Sequence, residues 1–178
     1  MYTPKLKQKI KEFYFRNPTT KLRVREIERT VNIPLPSVIK YTKELVSENI
    51  LKKEGIGTTT FFTANRDKLF FLEKKLYNLQ KIYNSGVIEY IQKELHNPTV
   101  ILFGSFSKGE DTEESDIDIY IQTSSRKKID LKPYFSEIGR DFQIFQHKHI
   151  KELQNTYLMN NIVNGITLNG FIEVFNET

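Results

Sequence analysis

The segment that decides the fold is residues 100–121, which read VILFGSFSKGEDTEESDIDIYI. It begins with the apolar run Val100–Phe103, which is typical of a strand buried on both faces. Gly104-Ser105 follows directly, and a residue without a side chain lets backbone N–H groups approach a ligand. We expect Ser105 to cap a short helical turn, because the N-terminus of a helix attracts anions.

A second strand is predicted at residues 115–121, Ser-Asp-Ile-Asp-Ile-Tyr-Ile. Side chains at positions i and i+2 of a strand share a face, so Asp116 and Asp118 project together while the isoleucines fill a core. Two close carboxylates repel each other unless a cation lies between them, and Mg²⁺ is typically held by one or two carboxylates plus substrate phosphates. The alternative is an exposed strand edge. The acidic residues between the two motifs are interpreted as a solvated charge run: Glu110, Asp111, Glu113 and Glu114.

The order of these motifs resembles that of a known superfamily. A hydrophobic strand, Gly-Ser, and then Asp-x-Asp between apolar residues is the pattern of the nucleotidyltransferases that include DNA polymerase β. Gly-Ser-Phe-Ser-Lys-Gly followed by Ser-Asp-Ile-Asp-Ile is similar in particular to the minimal nucleotidyltransferases of prokaryotes. The resemblance covers about residues 86–175 and implies an α/β (α+β) domain with a mixed sheet and flanking helices. It also implies two Mg²⁺ ions and transfer of a nucleoside monophosphate from an NTP, with ATP as the first candidate, to an acceptor.

The resemblance assigns roles to individual residues. Asp116 and Asp118 would be catalytic and hold the metals. The triphosphate would lie on Gly104, Ser105, Lys108 and Gly109. Lys108 stands where the minimal enzymes usually have arginine, and a lysine meets phosphate as a point charge without the bidentate fork.

The third carboxylate of the family comes from a later strand, for which residues 141–145 are the candidate here. The position flanked by apolar residues is Gln143, and Asp141 lies two residues earlier on the same face. A glutamine amide can position a ligand, but it cannot deprotonate an attacking hydroxyl. We keep both Asp141 and Gln143 as catalytic candidates, since a bulge or an early strand start would bring Asp141 into the site.

The N-terminal part of the chain is basic. Residues 1–66 contain 14 Lys+Arg and 6 Asp+Glu, a net charge of +8, whereas residues 67–178 contain 13 and 16, a net charge of −3. Periodic apolar residues predict helices from Pro4 to about Asn17, over 24–31 and from Pro36 onward. Two β-prone runs, 50–54 and 59–63, flank a predicted hairpin loop at 55–58. This order resembles a winged helix-turn-helix domain over residues 1–65.

In such domains the third helix enters the major groove of DNA and the hairpin rests on the flanking backbone. By position, Ser37, Lys40 and Tyr41 would face DNA. Lys52, Lys53 and Thr58 would lie near phosphates. The alternative is a winged-helix module that contacts protein, and Glu44 on the same helix counts mildly against DNA.

A helical connector is predicted at residues 66–85, before a nucleotidyltransferase domain at 86–178. Within it, leucines at alternating spacings of three and four form an apolar stripe: Leu69, Leu72, Leu76, Leu79 and Tyr83. This stripe predicts packing against the chain's own domains, and a homodimer through the 67–84 helix is the alternative.

Composition excludes several other classes of protein. The absence of cysteine removes disulfides, thiolate zinc sites and cysteine nucleophiles. No apolar stretch is long enough to span a bilayer, and the lysine-rich start lacks the apolar segment of a signal peptide, so we expect a cytoplasmic protein. Besides an enzyme, the sequence allows a nucleotide-sensing DNA-binding transcription regulator without turnover. A toxin–antitoxin element that modifies a partner protein is a third interpretation, and the acceptor is not specified.

Overall fold

The protein is described by a computed structural model that covers residues 5–172, without the side chain of Ile56. The chain divides into two compact units, Met1–Tyr77 and Asn78–Thr178, and the boundary between them lies inside the predicted connector. The helix start predicted at Pro4 lies outside the described residues. Within the described part of the chain, no helix is long and apolar enough to cross a bilayer.

The first unit contains three helices followed by a β-hairpin, which is the element order predicted for a winged helix-turn-helix domain. These elements are α1 (Lys5–Arg16), α2 (Val24–Val31), α3 (Leu35–Ser47), β1 (Leu51–Ile56) and β2 (Thr59–Ala64). Pro36 lies in the first turn of α3, where its missing N–H removes no helical hydrogen bond. The helices pack around buried side chains that include Ile10, Ile27, Val38 and Leu45.

The hairpin has a tighter turn than the sequence suggests. The predicted four-residue loop is wrong, because β1 continues to Ile56, which pairs with Thr59. The turn consists of Gly57 and Thr58, and Gly57 has a φ of +59°, which glycine adopts without steric cost. Gly55 is a strand residue opposite Thr60, although its residue type is typical of a loop.

Helix α4 (Lys68–Asn84) carries most of the predicted leucine stripe on its exposed face, whereas Leu79 of the stripe is half-buried against the core of the second unit. Leu69, Leu72 and Leu76 are 41%, 53% and 57% exposed, so the packing predicted for this stripe does not bury them. The buried face instead carries residues four apart: Phe70, Lys74, Asn78 and Ile82. A homodimer through residues 67–84 stays a prediction.

The second unit is built on a mixed four-stranded sheet. Its elements are α5 (Val87–Glu94), β3 (Thr99–Phe103), α6 (Gly104–Lys108), β4 (Ile117–Gln122), a 3₁₀ turn (Lys132–Tyr134), α7 (Phe135–Ile138), β5 (Phe142–His147), a second 3₁₀ turn (Ile150–Glu152), α8 (Thr156–Val163) and β6 (Ile166–Asn169). The strand order is β5-β4-β3-β6. β4 and β5 are parallel, and the other two neighbouring pairs are antiparallel. The predicted α/β (α+β) fold class is confirmed.

Both faces of this sheet are covered, which explains the apolar run of β3. Val100 and Leu102 pack with the isoleucines of β4 and with α5 on one face. Ile101 and Phe103 pack with Tyr120 and with α8 on the other face. The double packing fixes β3 and β4 side by side, and it therefore also fixes the strand ends that carry Gly104 and Asp118.

Candidate active site

Gly104 brings the end of β3 into direct contact with β4. Its φ is +72°, and a Cβ atom built on it would lie 2.0 Å from Oδ2 of Asp118. No real Cβ approaches an oxygen this closely, so any other residue would force the Asp118 carboxylate to move. The Gly-Ser turn and the Asp-x-Asp motif, which are separate in sequence, are thus one site in space.

The turn that follows Gly104 differs in one respect from its prediction. Ser105 is the second residue of α6, the capping position belongs to Phe103, and no side chain caps the helix. The predicted Ser105 cap is therefore wrong, because the helix already begins at Gly104. Ser107 Oγ donates to the Gly104 carbonyl at 2.8 Å and so holds the turn closed.

Lys108 and Gly109 end this turn. Lys108 is the last residue of α6 and is exposed, so its ammonium group can reach a phosphate. Gly109 adopts a φ of +76° and its N–H donates to carbonyls within the turn, so Gly109 serves to end the helix. The predicted contacts of both residues with a triphosphate remain a prediction.

Asp118 lies beside the end of β3, because β4 pairs it with Phe103. The neighbouring Ile117 and Ile119 are fully buried on the other face, as the alternation predicts. Asp118 is half-buried and Asp116 is exposed. The pKa of the Asp118 carboxyl is raised above its usual range, first by burial and second by the negative charge of Asp116. The two carboxylates are therefore close enough to repel each other.

Ser115 positions this carboxylate pair. Its hydroxyl accepts the backbone N–H of Thr112 at 2.9 Å, and its own N–H donates to the Thr112 carbonyl at 3.2 Å. These two bonds close a turn directly before Asp116. The serine before the first aspartate thus has a structural role that its sequence position alone does not reveal.

Asn78 and Asp111 support the site and were missed by the sequence analysis. Asn78 Nδ2 donates to the Phe106 carbonyl at 3.0 Å and to Oδ1 of Asp111 at 2.8 Å. Asp111 is only 2% exposed, so its interpretation as part of a solvated charge run is wrong. The only signal in the sequence is the four-residue spacing of Phe70, Lys74, Asn78 and Ile82, in which two polar residues share a face with two apolar ones.

Gln143 is the residue of β5 that pairs with Asp118. β5 runs parallel to β4 without a bulge, and its register places Gln143 directly beside Asp118. Asp141 precedes the strand, and its main-chain carbonyl accepts the Ile117 N–H at 2.8 Å. β5 thus has no bulge that would move Asp141 into the position beside Asp118, and the register puts Gln143 on the same face of the sheet as Asp118.

Asp116 and Asp118 fit a divalent cation whose other ligands are substrate phosphates and water. Within residues 5–172 there is no cluster of three or more His, Cys, Asp or Glu side chains that could hold a metal. Two carboxylates suffice for Mg²⁺ when phosphates and water complete its octahedron. The repulsion between Asp116 and Asp118 is the charge arrangement that such a cation relieves.

The residues predicted to contact DNA lie on α3 and on the hairpin of the first unit. Lys40 is exposed, and its Nζ lies 5.4 Å from the centre of the Tyr41 ring, whereas Ser37 and Tyr41 are half-buried. Lys43 is also exposed, one turn further along, and was missed although its spacing from Lys40 indicates the same face. Glu44, which counted against DNA, pairs with Lys7 at 3.1 Å.

On the hairpin, the two lysines predicted to contact phosphate differ, because Lys52 forms an ion pair and Lys53 does not, among the described residues. Lys52 Nζ lies 3.0 Å from Oε1 of Glu54, so part of its charge is already compensated. Lys53 and Thr58 are exposed. Among the described residues, no carboxylate lies within ion-pair distance of Lys53.

The mixed sheet of the second unit, with helices packed on it, is consistent with the nucleotidyltransferase fold. The family model described as "Polymerase beta, Nucleotidyltransferase" matches residues 85–168. This match supports the nucleotidyltransferase superfamily for that part of the chain, and with it a general nucleotidyltransferase activity. It does not extend to residues 5–64, where the winged helix-turn-helix interpretation rests on element order. No curated protein and no solved structure matches the chain.

Proposed function

We propose that the protein is a Mg²⁺-dependent enzyme that transfers a nucleoside monophosphate from an NTP, with ATP as the first candidate, to an acceptor hydroxyl. The observation that carries this proposal is the contact of the two motifs, since Gly104 leaves the space that the Asp118 carboxylate fills. A metal-bound nucleotide needs both parts, because backbone N–H groups bind its phosphates and carboxylates hold its cation.

Each residue at this point has a role in the proposed reaction. Asp116 and Asp118 would hold Mg²⁺, which when bound neutralises phosphate charge and stabilises the attacking and leaving oxygens. The turn Gly104–Lys108 orients the triphosphate through its N–H groups, and the Ser105 hydroxyl adds a donor. Lys108 supplies a point charge to a phosphate from the exposed end of the turn.

The proton of the acceptor limits the rate of this reaction. The acceptor oxygen forms a bond to the α-phosphorus, the bond from that phosphorus to the bridging oxygen breaks, and pyrophosphate leaves. Gln143, beside Asp118, cannot take the hydroxyl proton, because an amide oxygen is not a base at neutral pH. Asp141 or water must accept it, and we therefore expect slow turnover.

Label transfer tests the proposal. The full chain is incubated with Mg²⁺, a cell lysate as the source of acceptor, and ATP labelled on either the α- or the γ-phosphate. We expect the α-label on a macromolecule and no transfer of the γ-label, since the terminal phosphates leave as pyrophosphate. Transfer of the γ-label, or of neither label, contradicts the proposal.

A second candidate function is a nucleotide-sensing DNA-binding transcription regulator without turnover. The specific observation in its favour is that an amide residue, Gln143, pairs with Asp118, where the resemblance leads us to expect a carboxylate. A site of this kind retains the phosphate turn and the metal pair, so it keeps nucleotide affinity. It loses the group that removes the acceptor proton.

Substitution of Gln143 separates the two functions. Gln143→Asp is expected to raise the rate of α-label transfer about tenfold or more, because a well-placed general base contributes ~10²–10⁴ in rate. Gln143→Asn is the matched control, with the same shape and no charge, and should leave the rate at or below that of the wild type. If both the wild type and Gln143→Asp transfer nothing while Mg²⁺-ATP changes DNA affinity, the regulator is favoured.

We propose further that residues 1–65 bind DNA. The support is the +8 charge of residues 1–66, the helix–hairpin order, and the exposure of Lys40 and Lys43 on one face of α3. Because Lys7 pairs with Glu44 and Glu48, these two acids repel phosphate less than their sequence position suggests. The bound sequence and the acceptor, which could be a protein, are left open by this proposal.

The DNA interface is tested by removing charge from α3. Lys40→Ala with Lys43→Ala should lower the slope of log affinity against log salt by about 2 on duplex DNA, since each phosphate contact contributes roughly 0.9. The matched control is Lys5→Ala with Lys9→Ala on α1, which removes two exposed lysines from another helix. Equal slopes for the two variants in fluorescence anisotropy titrations would show that α3 is not the interface.

A further inference from the structure

A second polar surface lies at the end of the sheet opposite the carboxylate pair. The parallel strands β4 and β5 end at Gln122 and His147, so the loops that follow them meet at one edge. Asp118 is four residues back along β4, about 13 Å at 3.3 Å per residue. This edge is therefore separate from the site formed by Gly104 and Asp118.

Three neighbouring cavities lie along this edge, and we refer to them together as the groove. Its central cavity, of about 650 Å³, is lined by residues 123–126 together with Lys128, Gln146, His147, Lys148 and Glu152. A cavity of about 620 Å³ shares Ser124 and Lys148 with it, and one of about 430 Å³ shares Lys128 and His147. Because each of the two outer cavities shares lining residues with the central one, the three are neighbours, and together they offer more surface than a single phosphate contacts.

The groove is positive although the C-terminal part of the chain is acidic. The central cavity is lined by Arg126, Lys128 and Lys148 against Glu152, which gives 3 − 1 = +2, whereas residues 67–178 sum to 13 − 16 = −3. Among residues 5–172, no carboxylate lies within ion-pair distance of those three cations. Lys127 differs, because it pairs with Glu94.

Glu152 contributes little repulsion within this groove. Its Oε2 accepts the backbone N–H of Lys148 at 3.1 Å and lies 3.8 Å from Nδ1 of His147. The carboxylate is thus turned toward donors of its own segment, and the cations on the opposite loop remain available to a ligand.

The loop that carries two of the three cations is held in a fixed shape. The Thr123 hydroxyl accepts the Ser125 N–H at 3.1 Å, and the Ser125 hydroxyl accepts the Lys127 N–H at 3.2 Å. Gln146 Nε2 donates to the carbonyls of Ser125 and Lys127 at 2.9 and 3.2 Å. Each hydroxyl acts as an acceptor in these bonds, so its own proton is left to donate to an anion. Hydroxyls next to Arg and Lys are typical phosphate contacts.

The groove also offers flat and apolar surfaces. The His147 ring stacks on Tyr120, with ring centres 6.3 Å apart and planes 14° apart, and its side chain is 32% exposed. Ile129, Ile144 and Phe145 line the smallest cavity at one end. Rings and apolar side chains beside a basic track are the combination that binds single-stranded nucleic acid through both its bases and its phosphates.

We infer that this groove binds a single-stranded polynucleotide along its phosphate backbone, independently of residues 1–65. The phosphates lie on Arg126, Lys128 and Lys148 with the loop hydroxyls, and one or more bases lie against His147 and the apolar end. The inference goes beyond the proposed transfer reaction, because the groove contains none of the residues that hold the nucleotide.

Anisotropy of a fluorescein-labelled 16-nucleotide oligo(dT) on the full chain tests this inference. Arg126→Gln with Lys148→Gln should weaken binding at least tenfold at low salt. It should also lower the salt slope by about 1.4, since a single strand loses roughly 0.7 for each phosphate contact removed. Lys93→Gln with Lys132→Gln is the matched control on the same unit, and it should stay within twofold of the wild type. Circular dichroism melts verify that both variants are folded.

Several outcomes overturn the inference. If the groove variant and the control bind the oligonucleotide equally, the groove is not the site. If inorganic phosphate displaces the oligonucleotide as well as unlabelled oligo(dT) does, or a 4-mer binds as tightly as the 16-mer, the ligand is a single phosphate. If poly-glutamate competes equally per charge, the groove recognises acidic protein instead.

α-Label transfer by the groove variant should match the wild type, so failure of this inference is distinguishable from failure of the proposed reaction.

Discussion

Replacing Asp118 with asparagine is expected to lower α-label transfer by about 100-fold or more, the usual scale for removing a group that stabilises transition-state charge. The carboxylate contacts the Gly104 turn, and it is the more buried of the two proposed metal ligands. An amide keeps the shape but loses the charge that holds a cation. Transfer is measured with α-labelled ATP and saturating Mg²⁺.

A matched control is available within the same acidic stretch. Glu114→Gln removes one exposed carboxylate close in sequence and should leave transfer within twofold of the wild type. A loss of transfer in Glu114→Gln equal to that in Asp118→Asn would show that net acidity matters, and the assigned site would be wrong.

Asp118→Asn is also expected to change the thermal stability of the protein. The folded protein holds the Asp118 proton more tightly than the unfolded chain, because burial and Asp116 raise its pKa. The unfolded state therefore binds fewer protons, so stability falls as the pH rises above the ordinary aspartate range of about 4. In a chelator at neutral pH we expect Asp118→Asn to melt at a higher temperature than the wild type, with a smaller difference once Mg²⁺ is added. A lower melting temperature for the variant would contradict the assigned repulsion.

Gly104→Ala is expected to have the second largest effect, and the effect should fall on activity more than on stability. The new Cβ would lie 2.0 Å from Asp118 Oδ2, so the carboxylate must rotate away from the turn. Such a rotation costs little folding energy, since the atom is at the end of a side chain, but it removes a metal ligand. We expect transfer to fall about as far as in Asp118→Asn, by roughly 100-fold.

Gly139→Ala separates backbone strain from this clash. Gly139 has a φ of +80°, similar to the +72° of Gly104, and a Cβ there meets no atom within 4 Å. Both variants should lose about 1 kcal/mol of unfolding free energy, the cost of a left-handed conformation for alanine. Only Gly104→Ala should lose activity, and equal activities in the two variants would contradict the contact.

The parts of the fold that could be predicted are those in which one local pattern decides the structure. α2 has the predicted bounds Val24–Val31, since its apolar spacing and the Asn-Ile-Pro that follows leave little choice. β3 and β4 follow from a continuous apolar run and from strict alternation. The meeting of Gly104 with Asp118 is implied by the resemblance, and the register of β3 with β4 explains it.

The parts that could not be predicted depend on contacts between distant residues. On α4 the leucines have the spacing of a packed seam, yet Leu69, Leu72 and Leu76 are exposed and the buried face includes the polar residues Lys74 and Asn78. Asn78 is buried because Phe106 and Asp111 accept its hydrogen bonds, and neither partner is near it in sequence. Asp111 likewise looks solvated among other acids until its partner is known.

The choice between Gln143 and Asp141 could not be made from the sequence either. The sequence alone leaves open whether Gln143 or Asp141 reaches the site, because a bulge of one residue exchanges them. The unbroken register of β4 with β5 places Gln143, and not Asp141, beside Asp118. Which of two residues on the same face of a strand reaches a site depends on the register with the neighbouring strand. The alternation of apolar and polar residues along one strand does not specify that register.

The most direct measurement of the central claim is pyrophosphate release in the presence of Mg²⁺, α-labelled ATP and lysate. Monophosphate transfer requires one pyrophosphate for each label incorporated, and both should disappear together in the Asp116→Asn, Asp118→Asn double variant. Phosphate release without label incorporation, or incorporation that survives the double substitution, would contradict the claim that these two carboxylates serve a nucleotidyltransferase.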